Sequence, residues 1–271
     1  MDILRKELNA IYAGQRLADE ALDAGLLEAT LKAVERFAAI TQGCCVVTDA
    51  SADTCHLFGG RFARLLGITE ADTLREKVDS SDEDAIYARL HPEDLVEKRM
   101  LEYEFFKYVD PLPAEEKTQY KAACTIRIRN RAGDYLSVKN TTQVLVPSRP
   151  NGRIWLILCT YDLSPGPARA GDIEPRIVCN ATGLTLAVRT QERRAHILTP
   201  REKEILRLIR EGKPSKQIAD RLNISIHTVS RHRQNILEKL SVGNSVEAVT
   251  AAVAMGLLPD GGTTDTDGTV S

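Results

Sequence analysis

The tightest constraint on this chain lies in its last quarter, where Asn223, Ile224 and Ser225 alone separate two helical segments. The earlier segment places Ile218, Ala219 and Leu222 at helical spacing; Ser215 is its expected cap and Asn223 its expected stop. The later one, Ile226 to about Leu240, begins directly behind the cap residue Ser225. So short a connection forces the two helices to meet at a steep angle.

The flanking sequence supplies two further helices. Thr199-Pro200-Arg201-Glu202 is a capping box with proline at the first helical position. The helix it opens buries Ile205, Leu208 and Ile209 and ends at Gly212. Asn244-Ser245-Val246-Glu247 is a similar start, and Gly256 closes the fourth helix. The unit is therefore expected to be all-α, with a helix-turn-helix at its centre.

Its third helix decides the reading. At about 100° per residue, Val229, Ile236 and Leu240 share one face with Arg233 at its edge, while His227, Arg231, Gln234 and Glu238 lie about 140–200° from Val229. A polar face usually means only solvent. Here the tight turn before it and the local charge favour base reading: arginine pairs with guanine and glutamine with adenine, each discriminating by about 1–3 kcal/mol. The chain carries a net charge of −2, yet residues 197–258 hold ten basic against six acidic side chains. That asymmetry points to a polyanion as the partner of this segment, and the helix face makes double-stranded DNA the expected one.

Leu198-Thr199-Pro200-Arg201-Glu202, Gly212, Ile218-Ala219, the run His227 to His232, and Ile236 to Leu240 together resemble the LuxR/GerE-type helix-turn-helix, over about sixty residues with every spacing kept. The resemblance implies base contacts from Ser230, Arg231 and Gln234, with Thr228, Lys216 and Lys239 near phosphates. His227 and Arg233 complete the expected DNA-binding set. Serine stands at 230 where the family often has lysine, so Arg231 carries more of the weight. The fourth helix is apolar almost all round, and a domain this small buries only one stripe. Val246, Val249, Thr250 and Val253 are the expected contacts of a homodimer, as the resemblance also implies.

The rest of the chain reads differently. Residues 1–42 have helical periodicity (Leu4, Leu8, Ile11 and Tyr12, then Leu22 to Ile40), which would cap the next domain or pair with a second copy. Cys44 to Asp49 and Asp53 to Phe58 make a β hairpin. A short helix runs from Gly60 to Leu66 and stops at Gly67, and Pro92 opens a longer one that Pro111 and Pro113 break. Three β segments follow, Tyr120 to Arg129, Tyr135 to Val146 and Arg153 to Asp162. Alternation of Cys124, Ile126 and Ile128 with Thr125, Arg127 and Arg129 gives the first of them one apolar face.

This order, with His91-Pro92-Glu93-Asp94-Leu95 opening a helix and Asn130-Arg131-Ala132-Gly133-Asp134 as a turn, resembles a PAS domain over roughly Cys44 to Leu163. The resemblance implies a cupped sheet that encloses a small molecule or serves dimerisation and signal relay. The expected architecture is an α+β PAS-like domain (43–163) with preceding helices (1–42), then a linker containing a small hairpin (164–196), an all-α four-helix helix-turn-helix domain (197–258) and a disordered tail (259–271).

Several classes are excluded. A phosphorylatable receiver needs an early acidic pair and alternating parallel β and α units, and neither is present. Gly59-Gly60 lacks the lysine and hydroxyl of a phosphate loop. The six cysteines form no CxxC pair and read as buried thiols. The stretch from Leu95 to Val109 has no His or Cys, and no haem, flavin or metal motif is recognisable, so no cofactor is expected. No enzyme is expected either, since no catalytic constellation is visible. Without a membrane span or secretory signal the expected location is the cytoplasm. The expected function is a sequence-specific transcriptional regulator; the rival is an adaptor whose helical unit no longer binds DNA.

Overall fold

Strand β1 (Cys44–Asp49) is buried along its whole length, and this burial organises the larger part of the molecule. In the computed structural model, which describes residues 3–81, 83–149, 151–167, 169, 173–188, 197–240, 242–254 and 257–258, the chain forms two compact units. The larger spans Leu4–Thr190, and the smaller begins at Gln191. The expected tail at 259–271 and the expected stop at Gly256 lie outside the described residues.

In the larger unit, helices α1 (Ile3–Gly14) and α2 (Ala24–Thr41) come first. The Asp23 carboxylate accepts from the Leu26 amide at 3.0 Å and caps α2. Strand β1 pairs antiparallel with β2 (Thr54–Gly59) on one side and β6 (Ile154–Leu163) on the other. Strands β3 (Leu74–Val78), β4 (Tyr120–Arg129), β5 (Tyr135–Pro147), β7 (Arg176–Cys179) and β8 (Thr185–Ala187) complete one antiparallel sheet, ordered β3-β2-β1-β6-β5-β4-β7-β8.

One face of β1 offers Cys44 and Val46 to a core that includes Ile126, Tyr161 and, from α5 (Pro92–Val109), Leu101, Phe105 and Phe106. The opposite face offers Cys45 and Val47, joined by Trp155 and by Val34 and Ala38 of α2. Period-two alternation thus loads both faces of the central strands. Short helices α3 (Arg61–Leu65), α4 (Asp84–Tyr87) and α6 (Ala114–Lys117) fill the connections, and Gly67, at φ +73°, ends α3 as expected.

In the sheet, two features depart from the sequence reading. Strand β3, Leu-Arg-Glu-Lys-Val, was not expected, because its three middle residues are exposed and give no alternation to read. The segment read as a linker contains the expected hairpin, but that hairpin continues the sheet: Tyr120 to Ala123 of β4 pair with Cys179 to Arg176 of β7. Backbone hydrogen bonds to a free strand edge carry no side-chain signature, so pairing across more than fifty residues leaves no local trace.

Candidate nucleic-acid interface

The smaller unit holds helices α7 (Pro200–Arg210), α8 (Ser215–Leu222), α9 (Ile226–Leu240) and α10 (Ser245–Ala254). The expected capping box closes in both directions. Glu202 N donates to Thr199 Oγ1 at 3.2 Å, and Thr199 N donates to Glu202 Oε2 at 2.8 Å. At the corner between α8 and α9, Asn223 adopts the left-handed conformation with φ 52°. Its neighbour Ile224 returns an amide hydrogen bond to Ala219 O at 3.0 Å. Ser225 Oγ then accepts from Thr228 N at 3.0 Å and starts α9. Ahead of α10, Asn244 Oδ1 accepts from the amides of Val246 and Glu247, both at 3.0 Å.

Ser215 is a correction to the sequence reading. It is the first residue of α8 rather than its cap; Pro214 holds the cap position without a side-chain bond. The Ser215 hydroxyl accepts instead from Arg233 Nη1 at 2.9 Å. The other nitrogen of that guanidinium, Nη2, donates to Ser245 Oγ at 2.8 Å, so Arg233 ties the starts of α8 and α10 to the middle of α9.

Helix α9 is clamped through Val229, Ile236 and Leu240, which are buried against Leu198, Ile205, Leu206 and Ile218. Its other side carries His227, Ser230, Arg231 and Gln234, all exposed. Gln234 Nε2 donates to Glu238 Oε1 at 3.1 Å, one helical turn along. Lys216 is exposed on the first turn of α8, and Thr228 is half-buried behind the Ser225 cap. Lys239 lies elsewhere: its ammonium donates to Glu202 Oε2 at 2.7 Å, with the side chain 23% exposed and that of Glu202 only 3%. Burial disfavours the Glu202 carboxylate, but Lys239 and the Thr199 amide outweigh that cost and hold its pKa below the ordinary value. The structure thus brings His227, Ser230, Arg231 and Gln234 together on one exposed face and engages Arg233 and Lys239 within the unit.

Ile226, expected from the sequence as a helix start alone, is 51% exposed at the leading end of α9. An apolar residue at the first helical position, beside a polar face, was the signal that could have singled it out. On α10, Val246 is 76% exposed, Thr250 is exposed, and Val249 and Val253 are half-buried, while Ala248 and Ala252 face the core.

The family model for bacterial regulatory proteins of the luxR family, GerE, matches residues 196–252. The C-terminal unit is a LuxR-type helix-turn-helix domain. Relatives named as regulators share this LuxR-type segment. The uncharacterized response regulatory protein YgeK of Escherichia coli strain K12 is 48% identical over 60 residues, which are 22% of this chain and 41% of that protein. DesR, a transcriptional regulatory protein of Bacillus subtilis, is 47% identical over 62 residues, 23% of this chain and 31% of DesR. NarL, the nitrate/nitrite response regulator of E. coli K12, is 48% identical over 59 residues, 22% of this chain and 27% of NarL. The shared segment therefore spans less than half of each relative. A crystal structure of the phage VqmA–DPO complex aligns with 86% of this chain and 94% of its own at 16% identity, with a TM-score of 0.27.

The larger unit has its own polar interior, formed by groups far apart in sequence. Lys98 of α5 is fully buried, and its ammonium donates to the Tyr87 hydroxyl at 2.8 Å and to the Glu102 carboxylate. Tyr87 donates in turn to Glu102 Oε2 at 3.0 Å, and the Tyr161 hydroxyl donates to Glu83. Burial raises the Glu83 pKa against the pull of Lys98; burial lowers that of Lys98, but Glu102 and Glu83 more than reverse it. Among the described residues, His91, Glu93 and Asp94 have metal-ligand spacing. Arg127 already uses both carboxylates, bonding Asp94 through Nη2 at 2.6 Å and Nε at 3.0 Å and Glu93 at 2.7 Å, so the group is an ion-pair cluster. No helix among the described residues is long and apolar enough to cross a membrane.

Proposed function

We propose that this protein is a sequence-specific DNA-binding transcriptional regulator in which α9 enters the major groove. One observation carries the reading. The packed side of α9 is fixed by Val229, Ile236 and Leu240, and the opposite side leaves Arg231, Gln234, Ser230 and His227 exposed to a partner. In this placement Arg231 and Gln234 read base edges, Ser230 and His227 lie beside them, and Lys216 and Thr228 approach phosphates. The exposed Ile226 suits a thymine methyl group. Arg233 and Lys239 act mainly on the shape of the domain, through Ser215, Ser245 and Glu202.

Two copies are proposed to bind together through Val246, Val249, Thr250 and Val253 on α10, since this helix is apolar almost all round and Ala248 and Ala252 alone of its described residues are fully buried in the unit. The larger unit is proposed to be a PAS-like sensor that takes a small molecule or relays a contact. Its antiparallel sheet, with β1 and β2, then helices interrupted by β3, then the three long strands β4 to β6, supports this, and the Lys98–Glu102–Tyr87 cluster supplies polar groups inside an apolar core. A signal alters DNA affinity by favouring one relative placement of the two DNA-binding units over another. The site of action is proposed to be the cytoplasm.

Selection of bound fragments from a random DNA pool, followed by binding of the enriched sequence to wild type and Arg231→Ala, tests the reading. Enrichment of one motif with loss of base preference in the variant supports it. Failure of the wild-type protein to retard any sequence at any salt concentration favours the adaptor instead.

A further inference from the structure

Helix α2 has two apolar faces, and the sheet accounts for one of them. Val34 and Ala38 are buried in the core on that face, with Leu27 and Leu31 packed beside them. On the wheel, Leu26, Ala29, Ala33, Phe37 and Ile40 form a second stripe within about 40° of Ala33. All five are exposed; Phe37 is 45% and Ile40 82% accessible. An exposed apolar stripe along an 18-residue helix is unusual on a surface that stays uncovered.

The order of residues in the stripe says what covers it. A two-fold axis through Ala33 places Leu26 opposite Ile40 of a second copy, Ala29 opposite Phe37, and Ala33 opposite itself. Each large side chain then meets a small or matching one, and the alanines allow a close approach of the helices. On the flank, Arg36 lies about 60° and Lys32 about 100° from Ala33, whereas Glu28 lies about 140° away and turns from the partner helix. Lys32 meets its own copy near the axis, but Glu28 of the same helix already neutralises it at 2.7 Å. A parallel pairing would instead set Phe37 against Phe37 and Arg36 beside Arg36.

We propose that α2 pairs antiparallel with α2 of a second copy of this chain through Leu26, Ala29, Ala33, Phe37 and Ile40. This surface lies in the larger unit and does not depend on the DNA-binding reading, so the two fail separately. A helix about 27 Å long covers less area than a permanent interface needs, so the pairing is reversible and concentration-dependent.

Cysteine crosslinking of the full chain without DNA tests it, because all six native cysteines are buried. Under mild oxidation Ala33→Cys should form a disulfide-linked dimer, as should the double variant Leu26→Cys/Ile40→Cys, while Leu26→Cys alone should lag at least tenfold. Equal crosslinking of Leu26→Cys and Ala33→Cys means parallel or non-specific association and overturns the proposal. So does Ala33→Cys remaining a single chain. As a second measurement, Ala33→Glu places two carboxylates at the axis and should weaken self-association in sedimentation at least tenfold while Trp155 fluorescence reports an intact fold. Self-association unchanged from wild type overturns the proposal, as does a wild-type chain that stays monomeric at every concentration.

Discussion

Replacing Lys239 by methionine separates two roles for one ammonium group. The resemblance to LuxR-type domains implies a phosphate contact, whereas the structure shows a 2.7 Å bond to Glu202, the residue that closes the capping box of α7. Methionine keeps most of the stem and removes the charge. Glu202 would then remain almost fully buried with one amide hydrogen bond and no counter-ion. Truncating one partner of a fully buried pair costs about 3–5 kcal/mol. Because the Thr199 amide stays and Lys239 is partly exposed, about 1–3 kcal/mol is expected here. For a unit of this size that lowers the melting temperature by roughly 4–8 °C per kcal/mol. The single tryptophan, Trp155, lies in the larger unit, so the part of the far-UV circular dichroism transition due to α7 to α10 should move while the Trp155 fluorescence transition, and the part due to the helices of the larger unit, do not.

The pH dependence carries a sign. The folded state holds the Glu202 carboxyl below its ordinary pKa, so this stabilisation is complete above the unfolded value of about 4.3 and is lost as pH falls through the folded value. Without the ammonium the folded pKa rises, and acid unfolding of the helical unit should begin at higher pH. The reasoning is refuted if Lys239→Met leaves the helical transition unmoved yet weakens binding to all DNA sequences and reduces the salt slope by about one. That result would return the group to the phosphate backbone.

Arg231→Ala should cost about 1–3 kcal/mol of affinity on the selected site and relax base preference, with an unchanged helical melting transition; competition binding on single-base variants reads it. Arg127→Met strips the counter-charge from Asp94, whose side chain is only 8% exposed, and should cost the larger unit about 3–5 kcal/mol, read by Trp155 fluorescence in urea. Burial, with Arg127 adding to it, holds the His91 pKa below its ordinary value. Stability from His91 is therefore complete above about pH 6.5 and falls as pH drops through the folded value, and His91→Phe should flatten that part of the pH–stability curve. Gly212 sits at φ +75° with open space around it, so Gly212→Ala should lower the helical transition by about 1 kcal/mol through backbone strain alone.

The capping box at Thr199, the cap at Ser225, the helix stop at Asn223 and the buried stripe of Val229, Ile236 and Leu240 were all legible, because each is written within one or two turns of the chain. So was the outward placement of Arg231 and Gln234, which follows from helical geometry once that stripe is known. The engagement of Arg233 and Lys239 was not legible. Both carry the residue type of a DNA contact, and their serine and glutamate partners lie 12 to 37 positions away.

Sequence by itself determined the pieces of the C-terminal unit: where its helices lie to within a residue or so, which face the third of them buries, and which side chains that helix turns outward. Tertiary structure alone decided that the hairpin from Arg176 extends the sheet along β4, and that Lys98, Tyr87 and Glu102 share one buried cluster with Glu83 and Tyr161 nearby. It also decided that α2 keeps one apolar stripe exposed after the sheet has covered the other. The physical reason is range. Caps and periodicities act between neighbours along the chain, whereas strand pairing, charge compensation and burial depend on which distant surfaces finally meet.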